Sequence, residues 1–157
     1  MSIAFFIVSL LVLGVSTWYD LTKERVPNVF VLPCILAGLV AQPFLIPFPE
    51  YLIRLGVVCG IYFLYEGFIG AGDAKLVMML TILCGPVKGL GSLALGSLGV
   101  ILASLIRSPA ETRQMLVRDW TAFRTMSISS LKGKGPGVLL VPFLLVSFIL
   151  LTLILGI

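Results

Sequence analysis

The chain has 157 residues, of which 59% are hydrophobic and only 11% are charged, and its mean hydropathy is +1.16. Soluble domains average about 25% charged residues, so this composition excludes an ordinary soluble domain, a secreted disulfide scaffold and a disordered tail. The net charge is +4 and histidine is absent, which excludes a Cys/His zinc site and histidine-dependent nucleophilic catalysis. A polytopic membrane protein is left, for which we expect no metal, no cofactor and no nucleic-acid partner.

Six apolar runs follow one another and predict an all-α membrane protein with six transmembrane helices in one domain, residues 1–157. No basic segment precedes the first run and no A-x-A cleavage site follows it, so we expect a retained helix and not a removed signal peptide. The third and fourth runs are shorter than the ~20 residues that a helix needs to cross the hydrocarbon. The runs are Ile3–Tyr19, Val29–Phe48, Leu55–Ile69, Leu76–Val87, Leu90–Ile106 and Val138–Ile157, with a tight Gly85-Pro86 turn between the fourth and the fifth.

Basic residues are distributed unequally between the loops. Nine of the eleven Lys and Arg residues lie in the loops after the first, third and fifth runs, and the opposite side holds only Arg54 and Lys88. The positive-inside rule places the basic loops in the cytoplasm and both termini outside. The charge therefore indicates the orientation of the helices, and it does not indicate nucleic-acid binding.

Residues 107–136 form a long basic segment between the fifth and sixth runs. Ser108, Pro109 and Glu111 have the pattern of a helix start, with Ser at the N-cap. An amphipathic helix that lies on the anionic inner leaflet is expected, and a docking surface for a substrate tail is the alternative. The apolar face would carry Met115, Leu116, Trp120, Phe123 and Met126, and Lys132–Pro136 would follow as a flexible linker.

Two sets of small residues favour close helix packing. Ser92, Gly96, Gly99 and Ala103 recur at helical spacing in the fifth run, and Gly56-x-x-x-Gly60 lies in the third. Small residues at such positions allow helix backbones to approach each other closely in membranes. A packing role is expected for both sets.

Three carboxylates, those of Asp20, Glu66 and Asp73, are expected on the same membrane face, because each lies next to a loop that is assigned to the cytoplasm. Glu50 lies in the short outer loop and should be solvated. Asp20 could simply pair with Lys23 or Arg25, and Asp73 could cap its helix. Alternatively, two neighbouring aspartates form a dyad in which one is protonated and the other is ionised. Such a dyad can activate water and protonate a leaving amine without a metal.

The sequence around these aspartates resembles a known family. Asp20-Leu-Thr-Lys-Glu-Arg-Val-Pro-Asn28 looks like the first signature of the type IV prepilin peptidases, and Gly70-Ala-Gly-Asp-Ala-Lys-Leu76 looks like their GxGD motif. The resemblance implies catalytic roles for Asp20 and Asp73 and supporting roles for Pro27, Asn28, Gly70, Gly72 and Lys75. Glu66 would be a neighbour of the site, and Val141-Pro142-Phe143 resembles a further family element to which we assign no catalytic role.

The chain resembles the short, peptidase-only form associated with Flp/Tad pili, without the N-terminal CxxC region that accompanies N-methylation. This implies a bacterial inner-membrane aspartic endopeptidase, without N-methyltransferase activity, whose site faces the cytoplasm. Its substrates would be type IV prepilins or pseudopilins, cut after a short basic leader that ends in glycine. The oligomeric state is left open.

Three other functions fit the sequence less well. Tyr19-Asp20 and the GxGD motif also match intramembrane proteases of the presenilin or signal-peptide-peptidase kind, but those resemble nine-span chains with a Pro-Ala-Leu element. A small proton-coupled transporter subunit should carry polar groups near mid-membrane on several helices. A structural secretion-system subunit would not need both aspartates.

Overall fold

The structure is a computed structural model that describes residues 3–23, 28–68, 71–110, 112–114, 116–117 and 140–155, without the side chains of 64–68 and 71. These residues form helices and contain no strand, which confirms the all-α prediction. The helices are α1 (Ile3–Lys23), α2 (Asn28–Leu45), α3 (Phe48–Phe68), α4 (Ala71–Cys84), α5 (Pro86–Arg107) and α6 (Val141–Leu155).

Within the described residues, α1, α2 and α5 are long and apolar enough to cross a membrane. α6 is apolar but has only 15 residues, and α4 has 14. α3 has 21 residues, but Glu50 and Arg54 lie in its first two turns. The protein is therefore an all-α membrane protein whose helices differ in the length of their apolar segments.

The centre of the bundle is α4, which packs against α1, α2, α3 and α5. Its side chains from Leu76 to Leu83 are all buried, and none is more than 8% exposed. A helix that is apolar on all sides is stable only when neighbours surround it, and the Leu- and Met-rich sequence of α4 has this character. The helix ends at Cys84, Gly85 follows with a φ of 99° that suits glycine, and Pro86 begins α5.

The predicted packing role of the small residues is confirmed on α5, whereas on α3 no described residue supports it. A Cβ on Gly96 would lie 3.2 Å from Leu144 and one on Gly99 only 2.5 Å from Phe143, so α5 and α6 are in close contact there. At Gly56 and Gly60 nothing lies within 4 Å of the Cβ position. The GxxxG pair therefore packs against no described part of this chain, because this side of α3 faces outwards.

α6 closes the bundle between α5 and α1. The Phe148 side chain is fully buried, and its ring centroid lies 5.8 Å from that of Phe6. Beyond α5, residues 109–110, 112–114 and 116–117 are helical, and the Thr112 amide donates to the Ser108 carbonyl over 3.0 Å. This agrees with the predicted helix start at Ser108. The rest of the predicted amphipathic helix and the linker lie outside the described residues.

Candidate active site

Asp20 occupies the last turn of α1 and is 7% exposed. The last turn also holds Lys23, whose ammonium lies 5.1 Å from the centroid of the Tyr19 ring. Arg25, the other basic residue that could have paired with Asp20, lies outside the described residues. A buried carboxylate at the end of a long apolar helix is costly, so its position must be stabilised by the groups around it.

Asp73 lies in the first turn of α4, before the apolar run Leu76–Val87 begins. Burial raises the pKa of Asp73 to about 6, and the negative charge of Asp20 adds to this increase. The two carboxyl groups are therefore close enough to repel each other when both are ionised. A carboxylate that mainly capped its helix would have its pKa lowered by the helix N-terminus, so burial and Asp20 dominate over capping at this position.

A hydrogen bond joins the two sequence signatures. The Lys75 ammonium donates to the Asn28 side-chain oxygen over 2.9 Å, although the residues are 47 positions apart. Asn28 begins α2 and Lys75 follows Asp73 by two residues, so this contact fixes the start of α2 against the first turns of α4. The aspartates and this pair lie at one end of the bundle.

The model of the type IV leader peptidase family matches residues 5–106 of the chain. The chain belongs to this family. The matched region contains both aspartates and five of the six helices, and α6 lies beyond it. The comparison with curated proteins found no match, and the comparison with solved structures found none either.

The other residues that the resemblance singled out are only partly described in this peptidase. Gly72 is half-buried in the first turn of α4, one residue before Asp73. Pro27 and Gly70 lie outside the described residues, and so does the side chain of Glu66, whose backbone belongs to α3. Val141-Pro142-Phe143 begins α6, and Phe143 packs against Gly99 there. Among the described residues, no group of three or more Cys, Asp or Glu side chains could hold a metal ion.

The opposite end of the bundle holds a polar cluster that the sequence did not predict. Arg54, which the charge count places on the side opposite the basic loops, lies on α3, is 8% exposed and donates to the carbonyl oxygen of Ile82 over 3.1 Å. It also donates to the side chains of Gln42, over 3.2 Å, and Glu50. Glu50, expected to be solvated, is thus a half-exposed ion-pair partner. The sequence signal for this cluster is Gln42, a polar amide within the apolar run Val29–Phe48.

Proposed function

We propose that this peptidase is a prepilin leader peptidase, an aspartic endopeptidase that uses Asp20 and Asp73 to hydrolyse one peptide bond of a pilin-like precursor. The observation that carries the proposal is the electrostatic interaction of the two carboxyl groups, together with the raised pKa of Asp73. Carboxyl groups that share a site titrate as a pair, and in the pair's singly protonated form both an acid and a base are present.

In the proposed reaction, the ionised carboxylate removes a proton from water, and the water oxygen attacks the scissile carbonyl carbon. The protonated carboxyl donates its proton to the carbonyl oxygen, so that a neutral tetrahedral diol forms. The diol then collapses: one hydroxyl returns a proton to the carboxylate that had donated one, the C–N bond breaks, and the leaving amine takes the proton that water gave up. Burial favours Asp73 as the group that holds the initial proton, because desolvation disfavours its charged form.

We propose that the substrate has a short basic leader, a glycine before the scissile bond and an apolar helix after it. In the six-span topology, with the basic loops in the cytoplasm, the leader stays in the cytoplasm and the helix lies in the bilayer. The scissile bond then reaches the inner surface of the bacterial cytoplasmic membrane, where we place Asp20 and Asp73. The unequal distribution of Lys and Arg supports this orientation.

The test is cleavage of a synthetic prepilin by the purified protein in detergent. Asp20→Asn and Asp73→Asn should each abolish the mature product, because an amide cannot exchange the proton. Asp119→Asn, the same change in the basic segment, should leave cleavage unchanged. Cleavage by both active-site variants would refute the dyad.

Two further experiments address the reaction and the orientation. We propose hydrolysis as the only reaction, so a mature product that gains an N-methyl group from S-adenosylmethionine would contradict this proposal. In a background with the native cysteines replaced by serine, Lys134→Cys should react only with thiol reagents that enter the cell. Pro49→Cys, in the first turn of α3, should react with impermeant reagents, and the reverse labelling pattern would refute the orientation.

A further inference from the structure

The buried face of α1 leads along α4 to the two carboxylates. Four buried residues recur at helical spacing on this face, namely Ser9, Leu13, Ser16 and Asp20. The Ser9 hydroxyl oxygen lies 3.3 Å from the Cys84 sulfur, so this face of α1 packs against α4. Asp20 lies eleven residues beyond Ser9. Asp73 lies the same number of residues before Cys84, so the two antiparallel helices bring both carboxylates to one level. Ser16 is then one helical turn, about 6 Å, deeper in the bundle than Asp20.

Two hydroxyl groups in this turn of α1 have no hydrogen-bond partner in the described part of the chain. They are those of Ser16, which is fully buried, and Thr17, whose hydroxyl oxygen is buried as well. Serine and threonine in a helix often donate to the carbonyl oxygen one turn earlier, and a buried hydroxyl without a partner is unfavourable. Five other hydroxyls in this structure do donate in this way, over 2.6 to 2.9 Å, namely those of Thr22, Ser92, Ser97, Thr112 and Thr152.

The carboxylate one turn further along α1 is that of Asp20, which follows the two hydroxyl residues by four and three positions. Residues at these spacings are neighbours on a helix, and side chains lean towards the helix N-terminus. The Asp20 side chain therefore leans over the turn that holds Ser16 and Thr17. The hydroxyls of Thr81 and Ser104 also lack a partner, but neither residue is followed by a carboxylate three or four positions later.

The charged groups around Asp20 come from α1 itself and from α4. α4 contributes Asp73, whose negative charge opposes that of Asp20, and Lys75, whose ammonium donates to an amide oxygen. On α1, the Lys23 ammonium lies over an aromatic ring. The sequence of α6, which also packs against α1, contains no titratable residue. Hydrogen-bond donors stabilise a carboxylate in its charged form, so neutral hydroxyls beside Asp20 favour its ionisation against the repulsion of Asp73.

We propose that Ser16 is a positioning residue of the dyad, whose hydroxyl donates to the ionised carboxylate of Asp20, with Thr17 as a second donor. A rotation about the Cα–Cβ bond is enough to turn a hydroxyl from one acceptor to another. The two donors hold Asp20 in the form that removes a proton from water, and they leave the shared proton on Asp73. This inference rests on the proposed aspartic mechanism, since it assigns the base within that dyad.

The test is the pH profile of prepilin cleavage by the full-length protein in detergent. Ser16→Ala removes only the hydroxyl and should move the acidic limb of the profile to higher pH by about one unit, as the loss of a hydrogen bond to a charged group allows. On that limb kcat should fall about tenfold while KM stays unchanged. Thr17→Val, which keeps the shape of the side chain, should shift the limb in the same direction, and Thr17→Ser should restore it.

Two control variants remove a buried hydroxyl far from the carboxylates. Ser9→Ala makes the same change on the same face of α1, and Thr81→Val removes a hydroxyl that also lacks a partner. Both should keep the wild-type profile, because neither residue lies within a turn of Asp20 or Asp73. A shift of equal size in the controls would overturn the assignment.

Thermal unfolding separates a failure of this inference from a failure of the proposed function. A hydrogen bond to ionised Asp20 stabilises the protein at high pH and is lost as the pH falls, so Ser16→Ala should lower Tm more at pH 8 than at pH 3. Cleavage by wild type and Ser16→Ala with the same profile would overturn the inference and leave the peptidase proposal standing. If the wild type cuts no prepilin, the peptidase proposal fails, and equal Tm losses at both pH values would overturn the inference as well.

Discussion

Asp73→Asn should increase the stability of the protein in a pH-dependent way. Burial and Asp20 raise the pKa of Asp73 from 3.8 to about 6, a difference of about two pKa units. At 1.36 kcal/mol per unit, ionising Asp73 in the folded state costs up to about 3 kcal/mol. Because the folded pKa is the higher one, the favourable contribution of the proton is complete below pH 3.8 and is lost as the pH rises through 6. The amide carries no charge and avoids this cost.

The assay is reversible unfolding of wild type and Asp73→Asn in the same micelles at pH 4 and pH 8. We expect the variant to be more stable at pH 8, by up to about 3 kcal/mol, and close to the wild type at pH 4. If Asp73 mainly capped α4, its charge would be favourable by about 0.3–1 kcal/mol, and the variant would be less stable at pH 8. A stability change that is negative at pH 8, or equal at both pH values, therefore refutes the buried-dyad reasoning.

Three other predictions concern the dyad, the α2–α4 contact and the α5–α6 interface. The value of kcat/KM for prepilin cleavage should fall on the alkaline side with an apparent pKa near 6, and a constant value between pH 5 and pH 8 would contradict this. Asn28→Ala and Lys75→Met should each lower kcat/KM about tenfold, because each removes the same hydrogen bond. The double variant should therefore lower kcat/KM no further, and additive losses would exclude this coupling. Gly99→Ala should destabilise the protein by about 1–3 kcal/mol in thermal unfolding, because its Cβ meets Phe143, whereas Gly60→Ala, which meets nothing, should not; equal effects would contradict the packing.

Much of the fold follows from the sequence, because long apolar runs in a bilayer must form helices. The turn at Gly85-Pro86 and the helix start after Ser108 were predicted from residues with specific backbone preferences, and both occur. The apolar runs do not predict which helix lies at the centre of the bundle. α4 is central because it contacts α1, α2, α3 and α5, and these contacts join segments that are far apart in the chain.

Among the polar residues too, some positions follow from local sequence motifs and others depend on contacts between distant segments. The two signatures predicted that Asp20 and Asp73 form one site, and the charge of Asp20 adds to the raised pKa of Asp73. Their catalytic roles stay a prediction. The burial of Arg54 was not predicted, because counting charges by side gives no information about depth. A buried arginine depends on partners from other helices, here Gln42 and the carbonyl oxygen of Ile82, which no local pattern reveals.

The enclosure of α4 restricts the route of any polypeptide through this protein. Since its side chains from Leu76 to Leu83 are covered on every side, a second chain has no path along the middle of the bundle. A substrate can meet α4 only at its ends, and Asp73 is at one of them. Recognition of an apolar segment is therefore left to the outward faces of the other helices, where Trp18 and Val29 are exposed beside the aspartate end. In the proposed reaction the precursor would therefore be cut at the rim of the bundle, while its greater part stays in the lipid.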